Sequence, residues 1–423
     1  MQEMMRQAAP VLERLNGAGF EAYYVGGCVR DAALGRPVAD VDIATSAQPE
    51  QVLALFAKTL PTGLQHGTVT VQEGGHSYEV TTFRMETAYE RHRRPAEVTF
   101  IADLTGDLLR RDFTINAMAM DRFGRVVDPF GGTADLDAGV IRCVGDPELR
   151  LQEDALRLLR GIRFASVLGY RIAKSTWRAI VRHRRLLRHI AMERVGVELD
   201  KMLAGPYPNR ALALLERSAL WRETKIPLLG VGFDAPSCDQ VPDWSGVADT
   251  NNRWAGVLLA ARIAPEAANA WLSAFAFGRC RVRRITNRMK LHHAAIESDA
   301  TGDAAGSRAS WTELVLRYGQ DDAQAWLALI GQAPGLAASL PDEAGAARLA
   351  EWMRAMPAAT LKELAVNGRD LTALAGAGAR QGPWVKTLLN ELLAACARGD
   401  IPNDKQALLT AAETYLRNAK ELS

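Results

Sequence analysis

Up to about residue 145 the apolar positions come in short runs broken by glycine; beyond it they recur at helical spacing. Glu21–Val25 predicts a strand, Cys28–Leu34 a helix closed by Gly35, and Asp40–Ala44 a second strand. Gln48–Ala57 predicts a helix with Pro49 at its start, where a missing N–H is tolerated. Thr68–Gln72 and Ser77–Arg84 flank Glu73-Gly74-Gly75, a hairpin signal, and Ala117–Asp121 with Arg125–Asp128 flank Phe123-Gly124 in the same way. These elements make an α+β head. From Pro147 the pattern predicts helices, among them Glu153–Leu168 and Ser175–Leu187. Polar or Gly-rich stretches at 230–249, 299–306 and 373–380 interrupt it. No fixed-period repeat appears, and all nine tryptophans, from Trp177 to Trp384, lie in the helical part.

Composition narrows the class without naming it. The 423 residues suggest about three domains, or a small head on a long extension. A hydrophobic share of 48% with 24% charged residues excludes wholesale disorder. No run approaches the roughly 18 apolar residues of a membrane span, and no signal peptide opens the chain, so a cytoplasmic protein off the membrane is expected. Five cysteines lie far apart with no C-x-x-C pair, which argues against zinc ribbons and disulfide frameworks and fits a reducing compartment. The net charge of +2 gives no hint of a partner, but the distribution does. Roughly ten Lys and Arg fall between Arg157 and Arg188 with no Asp or Glu among them. Such a run is a footprint for polyanions, a solvated helix face being the alternative.

Two short motifs carry candidate chemistry. In Tyr23-Tyr24-Val25-Gly26-Gly27-Cys28-Val29-Arg30-Asp31 a strand ends in two glycines and a helix follows at once. Paired glycines let backbone N–H groups approach an anion, the helix N-terminus adds partial positive charge, and Arg30 can clamp a phosphate. A plain tight turn would read the same way. Ten residues on, Asp40-Val41-Asp42-Ile43-Ala44 places two carboxylates on one strand face, where they repel unless a cation lies between. Hard oxygen ligands favour Mg²⁺, completed by substrate phosphates, so Asp40 and Asp42 are the candidate metal ligands.

Together these residues resemble the nucleotidyltransferase signature of the polymerase β superfamily. More narrowly they resemble the class II tRNA nucleotidyltransferases (CCA-adding enzymes) and bacterial poly(A) polymerases. Further blocks match in order: Arg110-Arg111-Asp112-Phe113-Thr114-Ile115-Asn116-Ala117, then Gly145-Asp146-Pro147 with Arg150, then Glu153-Asp154-Ala155-Leu156-Arg157-Leu158-Leu159-Arg160, and more weakly Leu364–Leu371. The resemblance implies a mixed-sheet nucleotidyltransferase head (1–145), a helical neck with the base-selecting motif (146–205), a helical body (206–320) and a tRNA-binding helical tail (321–423). It implies CTP, ATP and tRNA as partners and two-metal nucleotidyl transfer; a homodimer is left open. Arg84–Glu97, with Arg91-His92-Arg93-Arg94-Pro95, reads as a mobile basic loop, which in this family is associated with the switch from adding C to adding A.

Roles follow residue by residue. On an ideal helix Asp154, Arg157 and Arg160 lie within roughly 120° of one another, pairing an acceptor with donors. That suits the amino donor and ring-nitrogen acceptor of cytosine and adenine, and not the reversed edges of uracil and guanine. Arg163 lies roughly 180° from Asp154 on such a helix, and is assigned to a phosphate or to positioning. Arg111 fits a triphosphate clamp, whereas Asp112 and Asn116 organise the loop or contact ribose. Glu79, on the strand Ser77–Phe83, is a candidate third carboxylate for the metal or the primer hydroxyl, an exposed strand glutamate being the alternative. His66 reads as structural. Rival readings are a partial CC- or A-adding enzyme, a poly(A) polymerase, and a non-catalytic RNA-binding protein. His66–Val71 and the tail segments Leu364–Leu371 and Gly399–Leu408, with Asn403, resemble the CCA-adding form.

Overall fold

Met5, Ala8, Val11, Leu12 and Leu15 recur at three- and four-residue spacing and bury one face of the opening helix α1 (Glu3–Gly17). Against it lies β1 (Ala22–Val25), whose Tyr24 hydroxyl donates to the Met5 carbonyl at 2.6 Å. The chain passes through α2 (Gly27–Ala33), β2 (Asp42–Thr45) and α3 (Pro49–Leu55), with Pro49 in the first turn of α3 as expected. It continues through β3 (Thr59–Gly63), β4 (Thr68–Glu73), β5 (His76–Thr82), β6 (Arg84–Glu90), β7 (Arg94–Phe100) and α4 (Leu104–Leu109). β8 (Ala119–Met120) and β9 (Val126–Val127) close a seven-stranded sheet in the order β3-β4-β5-β2-β1-β8-β9. β2 and β5 run parallel and the other pairs antiparallel, so the sheet is mixed. Both expected hairpins form, β4–β5 around Gly74-Gly75 and β8–β9 around Phe123-Gly124.

This computed structural model describes residues 2–90, 94–226, 242–298, 305–336, 343–376 and 382–421. Two compact units emerge, Met1–Leu229 with Ala274–Ala276, and Gly230–Ser273 with Phe277–Ser423. After the sheet, the first unit turns helical through α5 (Gly132–Asp137), α6 (Pro147–Glu153), α7 (Leu156–Leu168), α8 (Lys174–His183), α9 (Met192–Ala204) and α10 (Pro208–Ser218). The second unit is all-helical among its described residues. It runs through α11 (Thr250–Ala260), α12 (Pro265–Ala274), α13 (Arg279–Glu297), α14 (Ala305–Tyr318), α15 (Gln320–Gln332), α16 (Glu343–Arg354), α17 (Gly368–Leu374), α18 (Pro383–Arg398) and α19 (Lys405–Glu421). Trp311 and Trp326 are fully buried in one of its cores, and the Trp311 indole N–H reaches the Leu349 carbonyl at 2.9 Å. Val366, Leu371, Leu392, Cys396 and Leu408 centre the other. Asn403 joins the two tail segments singled out in the sequence: it accepts from the Ala365 N–H at 2.8 Å and donates to the Glu363 carbonyl at 2.8 Å.

Three expectations need correction. Glu153–Leu168 is not one helix: Asp154 is extended (φ −129°, ψ 106°), ending α6, and its side chain caps α7 by accepting the Leu156 N–H at 3.0 Å. Aspartate favours such a cap because it satisfies an orphan N–H, and a break of two residues, Asp154 and Ala155, leaves the apolar period almost untouched. Arg84–Glu97 is not an irregular loop but the paired hairpin β6–β7, register Arg84↔Phe100 to Glu90↔Arg94. Its many charged residues hide a strand pattern in the sequence, and Arg91, His92 and Arg93 lie outside the described residues. The second strand begins at Asp42, so Asp40 stands two residues before it and does not share its face by alternation. Of the interruptions expected at 230–249, 299–306 and 373–380, residues 230–241, 299–304 and 377–380 lie outside the described residues, while α14 already starts at Ala305 and α17 runs to Leu374.

Candidate active site

β1 and β2 pair so that Val25 stands opposite Asp42, which brings the Gly26-Gly27 turn beside the carboxylate. Gly26 has φ +73°, a conformation only glycine adopts without strain, and a Cβ there would stand 2.9 Å from Arg111 Nη1. Cys28, in the same motif, is buried and donates its S–H to the Val25 carbonyl at 3.2 Å, so it serves the turn. Burial pushes its thiol up to about 11, which keeps it inert.

On the other side of β2, the parallel register sets Asp42 opposite Glu79. Although Asp42 opens on the cleft, the protein around it and then the Glu79 charge raise its pKa above the usual carboxylate range. Arg111 pulls the other way and Asp40 adds to the rise. Carboxylates crowded in this way fit a divalent cation. Among the described residues no three His, Cys, Asp or Glu side chains close a complete cage. The fit is therefore to an ion whose shell is completed by substrate oxygens and water.

Asp42 opens on a cavity of about 450 Å³ bounded by Gly26, Gly27, Arg30, Arg110, Arg111, Asp112, Asn116, Asp154, Arg157, Arg160, Arg163, Phe164 and Arg194. Of the residues given a catalytic, metal or nucleotide role from the sequence, Asp40 and Glu79 are the two that do not line it. Its arginines are aimed by carboxylates behind them. Arg30 meets both oxygens of Asp31 (3.1 and 2.8 Å) and donates to Asn116 Oδ1 at 2.5 Å. Asn116 donates to Asp112 Oδ1 at 3.0 Å, and Arg160 Nε meets Asp112 Oδ2 at 2.6 Å. A single hydrogen-bonded chain thus links α2 to α7. Asp112 is buried, which alone would raise its pKa, but Arg160, the Asn116 hydrogen bond and Arg157 bring it down to about 2. Asp112 and Asn116 both lie under 10% exposed, positions suited to organising their loop.

Arg157 is 7% exposed and directs its guanidinium to the Arg150 and Arg110 carbonyls, both at 2.8 Å, and to Glu153 at 2.6 Å. It fastens the α6–α7 break while forming part of the cavity wall. Arg163, which an ideal helix would point away from Asp154, lines the same cavity as Asp154, which is not itself helical. It pairs with Glu198 and lies 4.0 Å from the Phe164 ring centre, with Arg30 and Arg160 also over that ring at 5.2 and 5.3 Å.

Three residues of this site escape a reading of the sequence. Phe164 passes for core, and Arg194, which reaches Asp154 at 3.2 Å, is 40 residues away from it. Asp107, fully buried, holds Arg110 at 2.9 Å and Arg111 at 3.2 Å and accepts the Arg84 N–H at 3.3 Å. Its spacing of three and four residues from those arginines was the available signal. The acid-free run from Arg157 to Arg188 also looks different once folded. Glu153, Asp112, Glu198, Glu148 and Glu223 come in from outside it to meet Arg157, Arg160, Arg163, Arg182, Arg184 and Arg188.

A strand-borne carboxylate opening on an arginine-lined nucleotide-sized cavity, with a second carboxylate opposite it in the register of a mixed sheet, is the organisation of a nucleotidyltransferase. The family model of the poly A polymerase head domain matches residues 22–142. The model of tRNA nucleotidyltransferase domain 2 matches 247–412, and that of a probable RNA- and SrmB-binding site of polymerase A matches 169–224. The CCA-adding enzyme of Anoxybacillus flavithermus is 38% identical over 413 residues, 96% of each chain. That of Geobacillus stearothermophilus is 38% identical over 412 residues, also 96% of each. The crystal structure of the Bacillus stearothermophilus CCA-adding enzyme in complex with CTP matches all of both chains with a TM-score of 0.81 at 34% identity. A CCA-adding enzyme complex with ATP shares the fold at a TM-score of 0.67 and 21% identity, covering 99% of this chain and 95% of that one. The chain belongs to the family of CCA-adding enzymes, which are tRNA nucleotidyltransferases. Membership implies use of a divalent metal. No helix among the described residues is long and apolar enough to cross a membrane.

Proposed function

We propose that this protein adds CCA to the 3′ end of tRNA without a template, taking CTP and ATP and releasing pyrophosphate, in the cytoplasm. The observation that carries the reading is the single cavity that holds the Gly26-Gly27 turn and Asp42 together with Asp154, Arg157 and Arg160, in a chain alignable with CCA-adding enzymes over 96% of its length. Gly26 and Gly27 offer backbone N–H groups, and Arg30 and Arg111 guanidinium forks, to the triphosphate. Their pre-set aim, from Asp31 and Asp107, removes part of the ordering cost of binding. Asp40 and Asp42 would hold Mg²⁺, two ions on the two-metal scheme, whose charge stabilises the attacking and leaving oxygens, and Glu79 would serve the metal or the primer hydroxyl. Asp154 as acceptor, with Arg157 and Arg160 as donors, selects cytosine and adenine by their shared edge. Asp112 and Asn116 keep Arg160 and Arg30 in place, and Arg163 serves the phosphates. The neck, body and tail, divided at 146–205, 206–320 and 321–423, hold the tRNA by shape and phosphates.

The test offers tRNAs ending before, within and after CC to the purified protein with Mg²⁺, and CTP or ATP separately. Three nucleotides added in order are expected. Addition that stops at CC, or that needs CC already present, points to a partial enzyme. Long A tails, or binding without incorporation, refute the reading.

A further inference from the structure

The base-facing end of the cavity has a brace that comes from a separate helix. Asp154 uses Oδ1 to cap α7 and accepts from Arg194 Nη2 at Oδ2, 3.2 Å away. Arg194 stands on the first turn of α9 and lines the same cavity. One turn further along α9, Glu198 takes the Nε–H of Arg163. Glu198 is 4% exposed, and Val195 and Leu199, next in sequence to Arg194 and Glu198 respectively, are buried in the core. α9 is therefore pinned to α7 along its buried side, and Arg194 reaches Asp154 from a fixed base.

The terminal torsion of an aspartate is broad, so a carboxylate held at one oxygen alone can tilt its plane. Donors on both oxygens fix that plane. We propose that Arg194 is a positioning residue for base choice, holding the Asp154 acceptor where the amino group of cytosine or adenine donates. The inference rests on the reading of Asp154 as the base-facing acceptor. Oδ2 retains a second lone pair, so the amino group joins Arg194 on this oxygen without displacing it. The keto oxygen of uracil or guanine in the same place meets acceptor against acceptor. That rejection is only as sharp as the aim of the carboxylate.

The experiment measures kcat and KM for CTP, ATP, UTP and GTP on tRNA lacking CCA, in wild type, Arg194→Gln, Arg194→Lys, Asp154→Ala and the double variant D154A/R194Q. Arg194→Gln is expected to lower the CTP/UTP and ATP/GTP ratios of kcat/KM by about tenfold. Arg194→Lys, which keeps the charge and loses the fixed fork, recovers part of the loss and carries the same reading in a variant that preserves the ion pair. Ratios unchanged in both Arg194 variants overturn the proposal. An equal loss for all four nucleotides, the mark of a purely structural role, overturns it as well. If Asp154→Ala leaves the ratios intact, the base-facing assignment itself is wrong. If it collapses them while Arg194→Gln does not, the brace alone is wrong. The double variant should be no less selective than Asp154→Ala, and a further additive loss there counts against coupling.

Discussion

Asp112→Asn removes one charge from the middle of the chain that links Arg30, Asn116, Asp112 and Arg160, and leaves its shape almost unchanged. In the folded protein the Asp112 carboxyl is held down at about 2 against an ordinary 3.8, a difference worth about 2 kcal/mol. The pKa is depressed, so this stabilisation is fully present above pH 4 and is lost as pH falls through about 2. Asparagine forgoes it at every pH and turns an amide N–H₂ or a weaker acceptor toward Arg160. Arg160 keeps about a third of its side chain exposed, so water relieves part of the charge left behind. At pH 7 the variant should unfold about 2–3 kcal/mol more easily, a melting shift of roughly 5–10 °C. Because the chain has two compact units, global melting alone is ambiguous. Hydrogen exchange of peptides from α7, followed through urea at pH 7, reads the relevant unit directly. Melts repeated near pH 3 should show the gap between wild type and variant narrowing. Equal protection of α7 at pH 7, or a gap that persists undiminished in acid, refutes the reasoning.

Asp42→Asn should abolish nucleotide incorporation with tRNA affinity nearly unchanged; incorporation above a hundredth of wild type removes it from the metal site. Gly26→Ala forces an L-residue to φ +73° and its Cβ to 2.9 Å from Arg111 Nη1, costing about 1–3 kcal/mol of strain. It should raise KM for CTP and ATP together, and unaltered KM values would show that the turn is not part of the triphosphate cradle. Asn403→Ala deletes acceptance from Ala365 and donation to Glu363 and Pro357, about 1 kcal/mol each. Exchange protection across 357–374 should fall accordingly, and unchanged protection would mean the two tail segments hold together without it.

How much of this was legible depended on the range of the interaction. The β4–β5 hairpin and the short β8–β9 pair were readable because Gly-containing turns announce themselves locally. The Gly26–Arg30 turn and Asp42 were readable for a similar reason, since strand, glycine pair and carboxylate lie within one short stretch. The Asp154 break was not, because a break of two residues between two helices leaves the spacing of buried leucines almost intact. The β6–β7 hairpin was masked by its charges. Arg194, Glu198 and Asp112 act on residues 35 to 48 positions away, and no periodicity records a partner at that distance. The register that sets Glu79 beside Asp42 is similarly a property of sheet order, not of either strand alone.

The pre-pairing of the basic run has a measurable consequence for ion release. Six of its cations already neutralise carboxylates brought from elsewhere, so they hold few mobile counter-ions. Arg171, Lys174, Arg178 and Arg185 are exposed and show no ion pair among the described residues. A polyanion laid on this segment would release ions from about four sites, not ten. At about −0.7 per neutralised phosphate, that is a contribution near −3 to the slope of log affinity against log salt, where the sequence alone suggests about −7.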